Sequence, residues 1–323
     1  MADASPPLVS VIVVSWNSRR FLEGCLSSVM AQTHPAVELI VVDNGSSDGS
    51  AGFVEERFPS ALLIPNRENL GFCRANNDAL KRCGGVFILC LNADAVLEDD
   101  YLATALPLFE ADHRLGMVAG KILRFDGRLV DSAGQELTRA RRIRDRGYGR
   151  PDAGQFEDPA DVFSVCGAVA LYRREMVDDV SVDGEFFDET FFSFGEDMDV
   201  CWRAQRAGWR GRYLPSARAR HFRGGSRSAD PSALGRFSQM AGRPHPIRAH
   251  IVKNRYLMIL KNDSPGALLR DLPFILAWEA VQWAWLLLAS PGTLPHLWRS
   301  RGLAARALER RRRGPAARGA AGA

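Results

Sequence analysis

Two patterns alternate over roughly the first hundred residues, and that alternation restricts the possible folds more than anything else in the chain. Val9-Ser-Val-Ile-Val-Val-Ser15 is an unbroken, β-branched run, as expected of a parallel strand covered on both faces. Helical spacing follows in Phe21/Leu22, Cys25/Leu26 and Val29/Met30. A second run, Val37-Glu-Leu-Ile-Val-Val42, ends at Asp43-Asn-Gly-Ser-Ser-Asp-Gly49. A short helix, a strand at 61–64, a helix near 72–83 and a strand at 86–91 come next. This β-α-β order predicts an α/β fold: a mostly parallel central sheet flanked by helices, with right-handed crossovers. Ligands in such sheets sit beyond the carboxyl ends of the strands. Those ends carry Ser15-Trp-Asn17, Asp43-Asn-Gly45 and Asn92-Ala-Asp94.

From Gly116 the pattern becomes mixed, with short strands expected at 117–123, 162–172 and 212–222. The Arg- and Gly-rich stretch 138–150 reads as a mobile loop, and 223–245 as a second loop. A helix is expected from about Gly195 to Ala207, stopped by Gly208. Residues 272–289 are strongly apolar but contain Glu279 and Gln282. A spanning helix needs about 20 apolar residues and tolerates a central carboxylate poorly. A helix lying on an anionic membrane surface, assisted by the Arg-rich end, suits this composition better; a core helix followed by a solvated tail is the plain alternative. The expected organisation is a disordered 1–7, a catalytic domain at 8–262, amphipathic membrane-associated helices at 263–298 and a basic, disordered tail at 299–323.

Charge supports that division. Residues 299–323 contain eight Arg and one Glu, +7 in all, whereas the whole chain carries +4, so the rest sums to −3. The body lacks the basic character that nucleic-acid binding needs. The six cysteines form no C-x-x-C pair and mostly sit in apolar runs. They read as buried, reduced thiols, which fits a cytoplasmic protein. The first residues lack the basic and apolar regions of a signal peptide.

Four elements could carry chemistry. Asp43, at a strand end, could accept from a pyrimidine N–H or a ribose hydroxyl; it could equally be a turn aspartate. Asn92 and Asp94 share one side of an extended chain and could address a hard cation with its pyrophosphate. Any strand-to-loop boundary can read the same way. Glu196 and Asp197 fall in the first turn of the expected helix, where the dipole favours ionised carboxylates. One of them could take a proton from a hydroxyl. Five Phe between 186 and 194 precede them and could line a partly dry pocket. His221 is a possible metal ligand, although a lone His is more often structural.

The order and spacing of these pieces resemble the rhamnosyltransferase-like branch of the family 2 glycosyltransferases. The family's V-S-I-V-x-x-x-N opening matches Val9–Asn17, V-V-D-N-x-S-x-D-G-S matches Val41–Ser50, and N-x-G-F-x-x-x-N-N matches Asn69–Asn77. Its S-G-A stretch reads Cys166-Gly-Ala168 here, and F-D-E-x-F-F-x-x-x-E-D spans Phe187–Asp197. The likeness covers about 8–260. It implies a GT-A fold, a nucleotide diphosphate sugar as donor and a divalent cation, Mg2+ or Mn2+. Asp43 would bind the base, with backbone near Ser15 and Asn17. Asn69, Arg74 and Asn77 would lie along the donor. Asn92-Ala93-Asp94 would stand for the family's D-x-D motif, with Asp94 and His221 on the metal. Asp197 would be the general base, Glu196 its neighbour, and Gly167 would border the donor pocket. The implied partners are a glycan or polyprenyl-linked acceptor and the inner membrane face. A dTDP-rhamnose donor leads, with UDP-linked hexoses or galactofuranose next.

Two other classes compete. A non-catalytic nucleotide-sugar-binding scaffold would not need Asp94, Glu196, Asp197 and His221. A dinucleotide oxidoreductase needs G-x-G-x-x-G after the first strand, and Ser15-Trp-Asn-Ser-Arg19 stands there instead.

Overall fold

The computed structural model describes residues 5–223 and 233–315. The strands are β1 (Val9–Ser15), β2 (Val37–Asn44), β3 (Leu62–Asn66), β4 (Phe87–Asn92), β5 (Ala95–Leu97), β6 (Leu115–Arg124), β7 (Val130–Ser132), β8 (Gln135–Leu137), β9 (Ile143–Asp145), β10 (Ala160–Val162), β11 (Val169–Arg173) and β12 (Arg210–His221). The helices are α1 (Arg19–Met30), α2 (Ser50–Arg57), α3 (Phe72–Leu80), α4 (Tyr101–Ala105), α5 (Pro107–Ala111), α6 (Arg174–Val180), α7 (Glu196–Arg206), α8 (Ala233–Ala241), α9 (His245–Asn262), α10 (Pro265–Ala289), α11 (Leu294–Arg299) and α12 (Leu303–Arg313).

One sheet runs in the order β10-β12-β6-β11-β4-β1-β2-β3, with β5 on β12 and β7 on β6. The pairs β4/β1, β1/β2 and β2/β3 are parallel, as expected from the alternating pattern. β11 is inserted antiparallel between β4 and β6. β1 shows why its sequence is unbroken: Val11 and Val13 pack with Leu22 and Leu26 of α1, whereas Ile12 packs with Ala75 and Ala79 of α3. Both faces are covered, so polar alternation would bury unpaired groups. The six cysteines are free, and all but Cys83 are fully buried.

Several expectations change. The strand expected at 162–172 is two strands, β10 and β11, separated by a turn through Cys166-Gly-Ala168. Residues 138–150 are not a mobile loop. They include β9 and the connection from β8, and Arg141 is buried against Asp263 (2.6 Å) and Asp271 (2.9 Å). Those two carboxylates flank the start of α10, so paired charge staples the hairpin to the C-terminal helices. The stretch 223–245 contains α8; 224–232 lie outside the described residues. The basic end is not simply a disordered tail, because α12 packs on α9 with Ala307 buried. Arg310, only 4% exposed, reaches Glu185 (2.8 Å) and Asp188 (3.2 Å). A guanidinium met by two carboxylates can be buried, whereas an unpaired one cannot. Residues 1–4 and 316–323 lie outside the described residues.

α10 turns its polar groups inward. Glu279 meets Arg255 and Tyr256, and Gln282 is buried, while Leu276, Leu287 and Leu288 are exposed. The helix is long and apolar enough to cross a membrane by composition, with a mean hydropathy of 1.5 over its most apolar window.

Candidate active site

The carboxyl end of β4 and the start of α7 border one cleft, and the ends of β1 and β2 follow beside β4 in the sheet. Strand register puts Ser15 opposite Asp43. Asp43 accepts from the Ser46 amide through Oδ2 (3.1 Å). Its Oδ1 and the Ser15 hydroxyl are buried with no partner among the described residues. An unsatisfied buried polar atom costs about 1–3 kcal/mol, so these two atoms on paired residues are suited to the polar groups of a ligand. Asn17, at φ 50°, takes the Ser47 amide on Oδ1 (2.9 Å) and ties the chain after β1 to the 43–49 turn.

Three residues expected along the donor have partners of their own. Asn77 is fully buried: Nδ2 donates to the Phe187 carbonyl (2.8 Å) and Oδ1 accepts the Phe187 amide (3.0 Å). It joins α3 to the aromatic segment and has little left for a ligand. Asn69 Oδ1 takes Asn44 Nδ2 (3.0 Å) and the Gly71 amide (2.9 Å), holding its own turn. Arg74 is exposed beside Asp78 on α3. Ala93 is a buried core side chain.

Asn92, Asp94, Gly167, Glu196, Asp197 and His221 do converge, lining a cleft of about 1110 Å³. Antiparallel β12/β5 pairing sets His221 opposite Ala95. His221 Nε2 is 3.1 Å from Asp94 Oδ1, and Nδ1 is 2.9 Å from Asp131 Oδ2. Burial alone would lower the imidazole pKa, but the bonds to Asp131 and Asp94 raise it to about 9. An outer carboxylate that fixes one ring nitrogen and turns the other inward is the usual support of a metal-binding His. Oxygen and nitrogen donors side by side fit a manganese- or magnesium-like ion. Among the described residues no group of three or more His, Cys, Asp or Glu is arranged to hold a metal. An ion at this pair would therefore draw other ligands from phosphate oxygens and water, as magnesium sites commonly do.

The acid pair is delivered by an unusual backbone. Phe192 (φ 64°), Phe194 (φ 76°) and Gly195 (φ 85°) are all left-handed immediately before α7. Such conformations cost about 1–3 kcal/mol at a non-glycine residue and need outside support. Asn254 of α9 supplies it, donating to the carbonyls of Ser193 and Phe194 (both 2.8 Å). Gly71 is needed here too, since a Cβ would sit 2.5 Å from the Phe192 ring.

Asp197 Oδ2 accepts from the Gly167 amide and Gln135 Nε2 (both 3.0 Å), and Oδ1 accepts from the Met198 amide (2.8 Å). Glu196 Oε2 has no partner among the described residues. Burial, reinforced by Asp197, pushes Glu196 up to about 8. Burial raises Asp197 as well, but its three donors oppose the rise. The hydrogen-bond donors on Asp197 favour its ionised form, whereas Glu196 Oε2 has no such support among the described residues. The helix N-terminus favours the ionised forms, and burial opposes it at both acids. Gln135 and Asp131 escaped sequence reading because both lie in three-residue strands with no periodicity. Asn254 lies in a helix that gave no functional signal.

A mostly parallel half-sheet beside a cleft that holds an acid pair and a candidate cation site is the arrangement of a GT-A-type sugar transferase. The chain belongs to the family 2 glycosyltransferases: the family model described as glycosyl transferase family 2 matches residues 10–181, over half of its length. An N-acetylglucosaminyl-diphospho-decaprenol L-rhamnosyltransferase of Mycobacterium tuberculosis is 27% identical over 257 residues, covering 72% of this chain and 80% of the relative. A poly-beta-1,6-N-acetyl-D-glucosamine synthase of Staphylococcus aureus is 24% identical over 211 residues, 65% of this chain and 48% of that protein. Among solved structures, the fold resembles a mannosyltransferase from Pyrobaculum calidifontis in complex with GDP-Man and Mn2+. Its TM-score is 0.54 at 22% identity, covering 93% of this chain and 75% of the other. The S. aureus TarS 1-349 complex with UDP has a TM-score of 0.51 at 20% identity, covering 83% and 69%.

Proposed function

We propose that this glycosyltransferase is inverting and cation-dependent, moving rhamnose from dTDP-rhamnose to a hydroxyl of a lipid-linked or polysaccharide acceptor in cell-wall glycan synthesis. The carrying observation is that Asp197, which accepts three hydrogen bonds, shares one cleft with the Asp94–His221 pair. Asp197 would take the proton of the acceptor hydroxyl as that oxygen attacks the anomeric carbon. Attack from the face opposite the leaving diphosphate gives a single displacement with inversion, by analogy with inverting glycosidases. Asp94 and His221 would hold a divalent cation, which when bound offsets negative charge on the leaving diphosphate. Ser15 and Asp43 would receive the nucleoside. Asn92 and Gly167 would border the donor.

An acceptor bearing phosphate is favoured by the arginines of the cleft. Arg142 lies over Trp278 (3.8 Å) and Arg243 over Phe194 (4.8 Å), and guanidinium groups suit phosphate. The rhamnosyltransferase relative points the same way for acceptor and donor. The outward apolar side of α10 and the basic end of the chain support a position on the inner membrane surface.

Asp197→Asn tests the assignment. Turnover should fall about 10²–10⁴-fold while nucleoside diphosphate binding, followed calorimetrically, is retained. Full activity in that variant would remove Asp197 as the base.

A further inference from the structure

A second cavity, about 570 Å³, is separate from the catalytic cleft. Both are bordered by α9, but by opposite faces of it. Asn254, Arg255 and Met258 line the cleft, whereas Lys253, Leu257 and Leu260 line the cavity; at about 100° per residue these sets point away from each other. Trp283 of α10, Leu294 and Leu297 of α11, and Ala304 of α12 complete the lining. The volume falls in the range of small-molecule sites, about 300–1,000 Å³, which are mostly apolar with a few placed polar groups.

Two cations are those polar groups. Lys253 is only 8% exposed, and its ammonium donates to the Thr190 carbonyl. Its hydrogen-bond partner among the described residues is that carbonyl alone, although an ammonium carries three donors. Burial drives its pKa down to about 8. Arg301, exposed at the rim, lies over the Trp298 ring (4.5 Å) and likewise has no carboxylate partner among the described residues. An apolar chamber bordered by Lys253, with Arg301 at its rim, is complementary to a hydrocarbon chain with an anionic head.

We infer that this cavity binds one chain of an anionic phospholipid of the bilayer, its phosphate paired with the two cations. The choice of a bilayer lipid rests on the membrane-surface position proposed for α10. The sugar acceptor is a poorer occupant, because α9 separates the cavity from the acid pair. The Tyr256 hydroxyl also bridges the two helices, accepting from Gln282 (3.2 Å) and Trp283 (3.0 Å). Exposed Trp283 and Trp298 lie at the cavity, and aromatic rings favour the lipid–water boundary.

The test is calorimetric titration of the full-length protein with dihexanoylphosphatidylglycerol below its micelle-forming concentration. Dihexanoylphosphatidylcholine and glycerol 3-phosphate are the comparison probes. Saturable one-to-one binding of the glycerol lipid is expected, about tenfold weaker for the choline lipid and absent for glycerol 3-phosphate. Ala304→Phe, which fills the chamber, should abolish binding, and Arg301→Gln should reduce the preference for the anionic head. Undiminished binding by Ala304→Phe, or equal binding of all three probes, overturns the inference. So does a dimer, seen by analytical ultracentrifugation, that Ala304→Phe disperses, for the occupant would then be a second copy. Co-sedimentation with anionic liposomes reads the membrane-surface proposal separately: Ala304→Phe should still sediment through the outer side of α10. A wild-type protein that binds the short lipid but not liposomes sinks the surface reading alone.

Discussion

Replacing Gln135 by Met should move the acid limb of the pH–rate profile without rebuilding the cleft. Gln135 Nε2 donates to Asp197 Oδ2 at 3.0 Å, and Ser164 Oγ donates to Gln135 Oε1 at 2.8 Å, so the amide is held in one orientation. A hydrogen bond to a charged group is worth about 1.5–3 kcal/mol, and one pKa unit is about 1.4 kcal/mol. Burial already raises Asp197 from its ordinary value, and the three hydrogen bonds it accepts oppose that rise. Losing a donor that favours the ionised form should raise it by a further one to two units, roughly. Activity that requires the ionised base is present above its pKa, so the limb shifts to higher pH by that amount. At pH values below both limbs kcat/KM should fall about 10–100-fold, and it should recover in alkaline buffer. Gln135→Glu, which adds a carboxylate beside the base, should shift the limb further. The assay is kcat/KM for sugar transfer across pH, with thermal unfolding as the folding control. An equal loss at every pH, with the limb unmoved, would refute the role given to Gln135.

Three further outcomes are expected. Asp43→Asn replaces a carboxylate by an amide at the orphaned acceptor position; nucleoside diphosphate affinity should drop about 10–100-fold, and unchanged calorimetric affinity would dissociate Asp43 from the nucleoside. Lys261→Met removes the ammonium 2.7 Å from Asp188 and 2.8 Å from Asp199, leaving buried carboxylates short of charge; a loss of about 3–5 kcal/mol is expected in denaturant titration. In the wild type, burial would raise both acids, but Lys261 with Arg310 holds Asp188 below the ordinary range and Lys261 with Arg203 holds Asp199 there. Their stabilisation is present above the unfolded value of about 3.9 and is lost as pH falls below it, so the Lys261→Met penalty should shrink in acid, and a penalty that grows there would contradict the pairing. Removal of residues 303–323 takes away Arg310 from Glu185 and Asp188 and should lower Tm by several degrees; an unchanged Tm would make α12 dispensable to the fold.

The parallel half of the sheet was readable in the linear order of residues because its strands are buried on both faces. That burial forces apolar continuity in β1, β2 and β4, and it leaves the polar residues at their carboxyl ends conspicuous. Asp94, Glu196, Asp197 and His221 stand out for the same reason: each lies at or just beyond the end of a regular element, after β4, at the start of α7 and at the end of β12. Asn69 and Asn77 carry the same residue type in an equally recognisable motif, yet hydrogen bonds to their own surroundings occupy them. No sequence pattern distinguishes an amide facing a ligand from one facing a carbonyl. Gln135, Asp131 and Asn254 became meaningful only when segments far apart in the chain met. The basic end reads as a tail because arginine is ordinarily solvated, and only the carboxylates of Glu185 and Asp188, contributed from far upstream, make its burial tolerable. Local periodicity thus determined the parallel strands and the helices between them, whereas the three-residue strands β7 and β8 carried no such pattern. The proton distribution between Glu196 and Asp197, and the docking of the C-terminal helices, were decided by desolvation and long-range charge pairing, which exist only after the chain has closed on itself.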